Sequence, residues 1–132
     1  MSKYSFPAVF TPEENGGYSV NFPDLESCYT CGDDMTDAIM MAEDVLSLTL
    51  YNYEISERTI PAPSSPADIS LSEGELINYI ACSTLEYRKR FSNAAVKKTL
   101  TIPEWMNDEA LRAGINFSQV LQDALKQQLH IG

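Results

Sequence analysis

Val96-Lys97-Lys98-Thr99-Leu100-Thr101-Ile102-Pro103 alternates its side chains, with Val96, Leu100 and Ile102 on one side and Lys97, Thr99 and Thr101 on the other. A period of two predicts a short strand, in which Lys98 is the one polar residue on the apolar side. Pro103 stops that strand and suits the first position of a helix, where a missing donor costs nothing. Trp105, Met106, Ala110 and Leu111 give this helix an apolar face, and Ala113-Gly114 ends it. Asn116 then caps a second helix. Gln119 stands at its capping-box position, and Phe117, Val120, Leu121, Ala124, Leu125 and Leu129 form its stripe.

One strand and two helices cannot enclose a core, and a lone strand leaves both edges unpaired. The economical solution is a symmetric dimer: two strands pair antiparallel and four helices cover one side of them. Leu100, Ile102, Trp105, Val120, Leu121 and Leu125 then form the dimer core, and Lys97, Thr99 and Thr101 of each chain face outward. A two-stranded ribbon with such a face fits the major groove, where lysine reaches guanine acceptors or phosphates and threonine meets base edges.

Ahead of this tail the chain reads differently. Tyr4, Phe6, Ala8 and Phe10 alternate, Pro12-Glu13-Glu14-Asn15-Gly16-Gly17 supplies turn chemistry, and Tyr18, Val20 and Phe22 alternate again, which predicts a β-hairpin. Pro23-Asp24 turns the chain into a third strand over Ser27 to Cys31. Asp33 or Asp34 caps a helix of about 17 residues to near Tyr51, with Met35, Ala38, Ile39, Ala42, Val45, Leu46 and Thr49 in its stripe. Periodicity fades over 52–74, where Ile60-Pro61-Ala62-Pro63-Ser64-Ser65-Pro66 cannot hold a helix. A connection this long is expected to be mobile or to contact a partner. Leu76 to Cys82 reads as a further strand. Ser83-Thr84-Leu85-Glu86 opens a short helix, with Leu85 and Phe91 turned inward and Arg88, Lys89 and Arg90 outward. The fold class is therefore α+β. Its plan is a front domain at 1–91 of order β-β-β-α-β-α with a long loop at 52–74, a hinge at 92–95, and the dimerising tail at 96–132.

The whole chain has 132 residues and 14.7 kDa, so a large multidomain enzyme is excluded. Its 9 basic against 19 acidic residues give a net charge of −10, and residues 1–92 alone hold 5 basic and 15 acidic. So acidic a front repels phosphate backbones and attracts basic proteins, which leaves nucleic-acid work to the balanced tail. By complementarity a basic partner should meet Glu13, Glu14, Asp24, Glu26, Asp33, Asp34 and Asp37. No apolar run reaches the ~18–20 residues of a membrane span, no signal-peptide pattern opens the chain, and three cysteines make no disulfide framework. A cytoplasmic protein with reduced thiols and no membrane association is expected.

Lys97-Lys98-Thr99-Leu100-Thr101-Ile102-Pro103, followed by Gly114-Ile115-Asn116-Phe117-Ser118, strongly resembles the ribbon-helix-helix DNA-binding domain. The resemblance implies base reading by Lys97, Thr99 and Thr101, and phosphate anchoring around Asn116, Phe117 and Ser118. Free amides and a positive dipole end at a helix start agree with that role. Pro12 to Leu25, then Cys31-Gly32-Asp33 and the helix with Ala38 and Ala42, resemble the N-terminal domain of HicB antitoxins, whose closing segment Leu85 to Phe91 also fits. That resemblance implies a partial ribonuclease-H-like fold and a HicA-like partner, a small basic toxin of double-stranded-RNA-binding fold that cleaves mRNA. It also implies a tail that represses the operon through operator DNA, as a dimer or a tetramer and higher assembly. Some family members carry a helix-turn-helix tail, from which this sequence departs.

Two other functions are weighed. A ribbon-helix-helix repressor whose front senses another protein or ligand would use the same tail. A residual metal-dependent nuclease would need carboxylates converging on ions ~3.5–4 Å apart, whereas Asp24, Glu26, Asp33, Asp34 and Asp37 fall in a turn and at a helix start. Cys28-Tyr29-Thr30-Cys31 has the spacing of half a zinc site, but three apart in a strand points the thiols to opposite faces, and His130 lies in the other domain. No catalytic residue, metal or cofactor is expected. His130 reads as a solvent-exposed terminal residue, and Tyr4, Phe6, Phe10, Tyr18 and Phe22 as core and interface rather than a stacking platform.

Overall fold

A computed structural model describes residues 3–91 and 94–131. Two compact units divide at Met1–Ala94 and Ala95–Gly132, within the expected hinge, of which Ser92 and Asn93 lie outside the described residues.

The first unit holds β1 (Lys3–Pro12), β2 (Tyr18–Asn21), β3 (Tyr29–Gly32), α1 (Met35–Ile55), β4 (Leu76–Ser83) and α2 (Thr84–Phe91). Its sheet has the order β3-β2-β1-β4 with every pair antiparallel. The hairpin forms as the alternation predicts, with Phe10 opposite Val20 and Gly16 at φ +87° in the turn. The third strand starts two residues later than expected, because Ser27 at φ +55° still belongs to the turn.

The even-numbered residues Phe6, Ala8 and Phe10 of β1 point to α1, as do Val20 of β2 and Ile80 and Cys82 of β4. Ala38, Ala42, Leu46, Leu50 and Tyr53 meet them from the helix, at the three-four spacing of a buried helix face. Ile39, expected in this stripe, is instead at its exposed margin. Phe6, Phe10 and Phe22 are fully buried, and Tyr4 and Tyr18 pack against the cluster.

α1 runs four residues beyond the expected end. It closes by donation from the Glu57 amide to the Glu54 carbonyl and from the Arg58 amide to the Tyr53 carbonyl, with Glu57 at φ +54°. No glycine marks this ending.

The length of the following connection has a geometric cause. α1 delivers the chain to the end of the sheet where β1 begins and β4 ends, since Glu54 accepts from Tyr4 Oη (2.7 Å) and Thr84 Oγ1 (3.0 Å). An antiparallel β4 must start at the other end, beside Phe10, about 23 Å from Ser83 at ~3.3 Å per residue. Residues 56–75 make that return. Of the two expectations for this connection, a mobile or a partner-contacting segment, the hydrogen bonds bear only on the first, since they anchor it to the sheet and to the turn before β3. Asp24 accepts from the Ser64 amide (3.0 Å) and hydroxyl, Tyr79 Oη donates to the Ser64 carbonyl (3.1 Å), and Thr11 Oγ1 donates to Glu75 (2.6 Å).

Ser83 caps α2 by accepting from the Glu86 amide. Leu85 is half-buried, but Phe91 is exposed, because at the end of an eight-residue helix it reaches Tyr87 rather than the core.

In the second unit, α3 (Glu104–Arg112) and α4 (Phe117–Gln128) flank a turn with Gly114 at φ +71°. Pro103 stands one place earlier than expected, at the cap of α3. Residues 96–102 form no strand in the single chain. A strand needs a neighbour for its amides and carbonyls, and this chain offers none there.

Candidate functional site

The acids singled out in the sequence divide by what they hold. Asp34 caps α1 by accepting from the Asp37 amide (2.8 Å), and Asp37 returns the favour by accepting from the Asp33 amide (2.8 Å). The arrangement presses β3 against the first turn: a Cβ on Gly32 would come within 2.3 Å of the Ala38 nitrogen, so no side chain fits there. Asp24 holds Ser64, and Glu26 pairs with Arg58 (3.7 Å), whose guanidinium lies 4.1 Å over the Tyr53 ring. Glu13 and Glu14 are exposed in the hairpin turn, where the Glu13 amide donates to the Gly17 carbonyl.

These acids therefore do not converge. Among the described residues no three His, Cys, Asp or Glu side chains are placed to share a metal ion. The thiols differ in kind. Cys28 is buried and its acidity is suppressed by desolvation, although the Thr49 hydroxyl partly offsets this. Cys82, also buried, is pushed up to about 11, first by desolvation and against a bond to Ser47. Cys31 is exposed.

The second unit presents its predicted residues in two sets. Lys97, Thr99 and Thr101 are exposed, but so are the residues expected to form a dimer core: Leu100 is 63% exposed, Trp105 66%, Val120 54% and Leu125 50%. Ile102 is exposed as well, and only Leu121 of that set is half-buried. No residue of α3 or α4 is buried. At the start of α4, the Asn116 side chain accepts from the Gln119 amide (3.0 Å). Gln119 does not complete the box, because its amide group donates to Asp123 (2.9 Å). Ser118 Oγ accepts from Gln122 (3.1 Å), and Phe117 and Ser118 are exposed at this end. His130 is exposed, at φ +57°, just past the end of α4.

Sequence reading missed the Asp24–Ser64 anchor and the Glu54 junction with Tyr4 and Thr84. These pairs lie 30 to 50 residues apart and leave no periodic trace.

Comparison with known proteins places the chain. The profile of the family described as HicB_like antitoxin of bacterial toxin-antitoxin system matches residues 5–74. Antitoxin HicB 1 of Photorhabdus laumondii is 38% identical over 58 residues, which are 44% of this chain and 37% of that protein. The matched part spans no more than about half the length of the other curated antitoxins that it resembles. Among solved structures, a chain of a toxin-antitoxin complex from Streptococcus pneumoniae is similar with TM-score 0.62 and 28% identity, covering 96% of this chain and 99% of that one. The antitoxin HicB of Burkholderia pseudomallei shares the fold, with TM-score 0.54 and 13% identity over 96% and 98% of the two chains. Among the described residues no helix is long and apolar enough to cross a membrane. With its hairpin, the glycine contact under α1 and the returning β4 all inside or beside the matched stretch, the chain belongs to the family of HicB-like antitoxins of bacterial toxin-antitoxin systems.

Proposed function

We propose that this chain is a cytoplasmic antitoxin that neutralises a small basic HicA-like mRNA-cleaving toxin with its front unit and represses its own operon through its tail. It acts by binding, with no catalytic residue and no cofactor. The observation that carries the reading is the end-to-end likeness to a chain of the S. pneumoniae toxin-antitoxin complex. The order β-β-β-α-β-α of the front supports a partial ribonuclease-H-like frame turned to protein binding.

For the tail, the support is an energetic imbalance. Leu100, Ile102, Trp105, Val120 and Leu125 leave too much apolar surface in water for a unit of this size to be at rest alone. A second copy relieves it. Residues 96–102 of two chains pair as an antiparallel ribbon, the apolar side chains close beneath it, and Lys97, Thr99 and Thr101 remain on top. That strip enters the major groove of operator DNA, and the free amides at Asn116, Phe117 and Ser118 hold flanking phosphates. Pairs of such dimers can bridge adjacent operator sites.

Co-expression with the product of a small basic reading frame beside this gene tests the reading. The expected outcome is growth rescue and co-purification. Replacing Thr99 and Thr101 by valine should then cost ~1–3 kcal/mol per lost base contact in operator binding while leaving the dimer intact. Operator binding without rescue would mark a plain repressor instead, and metal-dependent RNA cleavage by the isolated chain would mark a nuclease.

A further inference from the structure

The acids expected to greet a basic partner mostly hold the fold: Asp24 anchors Ser64, Glu26 pairs with Arg58, and Asp34 and Asp37 cap α1. The outer face of α1 is a different case. At ~100° per residue, Met40, Asp44, Leu48, Tyr51 and Ile55 stack on the side opposite the buried Ala38, Ala42, Leu46 and Tyr53, with Met41 beside them. A solvent-facing stripe of an ordinary surface helix is polar. Here Met40 is 62% exposed, Leu48 44% and Ile55 57%.

Aromatic side chains continue onto α2, but the acidic charge does not: Arg88, Lys89 and Arg90 lie there, and the Arg90 guanidinium is 5.1 Å over the Phe91 ring. The Tyr51 ring lies 5.3 Å from Tyr87, and Tyr87 lies 4.7 Å from Phe91, which is itself exposed. At the far end of α1, Tyr51 and Ile55 enter the wall of an open groove of about 790 Å³ together with Arg58 and Ile60. All the charges of α1 have one sign: Asp37, Glu43, Asp44 and Glu54, with no lysine, arginine or histidine among its 21 residues.

We infer that the outer face of α1 is the surface on which the small basic protein docks, with the basic α2 outside the contact; this rests on the antitoxin reading above. Charge selects the occupant. A front unit with 5 basic and 15 acidic residues repels a second copy of itself and any nucleic acid. A basic protein instead gains a desolvated centre at Met40, Leu48 and Ile55, and places its lysines or arginines against Asp44 and its acidic neighbours. The Glu13-Glu14 turn is a peripheral contact in this arrangement.

The test titrates the full-length chain against the purified basic protein encoded beside it. Leu48→Lys should weaken binding about thirtyfold or more, as expected for a central apolar contact replaced by a like charge. Asp44→Lys should weaken it about tenfold and flatten its salt dependence, and Glu13→Lys with Glu14→Lys should change it less than about threefold. An unchanged thermal midpoint for Leu48→Lys shows that the fold survives. Independently of any variant, peroxide oxidation of Met40 and Met41 should slow in the complex. A partner that ignores the wild-type chain would overturn the antitoxin reading and this surface with it. A partner that binds wild type and Leu48→Lys alike, and leaves Met40 and Met41 equally oxidised, would overturn this surface alone.

Discussion

The front unit buries Phe6 and Phe10 to 1% or less, whereas the tail leaves Trp105 at 66% and Leu129 at 64% exposure. Both segments are rich in large apolar side chains, so composition does not separate them. The difference lies in closure. Four strands and a 21-residue helix enclose a core within one chain, but the two short helices of the tail bury none of their residues. The front thus closes its core within one chain, and the proposed tail dimer would close the other.

That contrast breaks most readily at the two cores. Leu46→Ala should destabilise the front by about 3–5 kcal/mol, measured by denaturant unfolding, with a midpoint that does not move on dilution. Leu125→Asp should leave the front intact and weaken tail dimerisation by about 2 kcal/mol or more in sedimentation equilibrium. A front midpoint that shifts with concentration would erase the distinction.

A smaller effect should come from the returning segment. Asp24→Ala removes both bonds to Ser64 and should cost the front about 1–3 kcal/mol, with faster amide exchange over residues 56–75. The far anchor adds a pH dependence. Bonds from Thr11, and then from the Ser72 amide, hold the Glu75 carboxyl below its ordinary range, so its contribution is present above that range and fades as pH falls through the lowered value. Amide exchange near Ser72 should rise on acidification before the core opens.

The smallest perturbation is a thiol count. Cys31 should label at once, whereas Cys28 and Cys82, buried and with their acidity suppressed, should label only when the front opens. Dilution that dissociates the tail should leave those two rates unchanged.

Legibility in the sequence followed the range of the interaction. The hairpin, the Asp34 and Asn116 caps and the face of α1 rest on neighbours a few residues apart, and alternation or spacing reveals them. Helix endings show the limit. Three helices end in the same left-handed way, at Glu57, Gly114 and His130, but only Gly114 advertises it in the sequence. The route of residues 56–75 depends on the direction of β4, a choice made across the whole sheet. The strand expected over 96–102 has no partner strand within one chain, and its formation rests on the proposed dimer. As for the site, its residue types were readable, but which acids serve the fold, and which apolar side chains of α1 face water, emerged only with packing.

The return of the chain along the sheet gives the front unit a polarity useful at the bench. Ser83, beside Lys3, leads into α2 and onward to the second unit, while the Glu13–Gly17 turn sits beyond the opposite end, about 23 Å off along β4. A fluorophore or affinity handle grafted at Asn15 would ride at the greatest remove from that exit, reporting on the molecule without burdening its linkage.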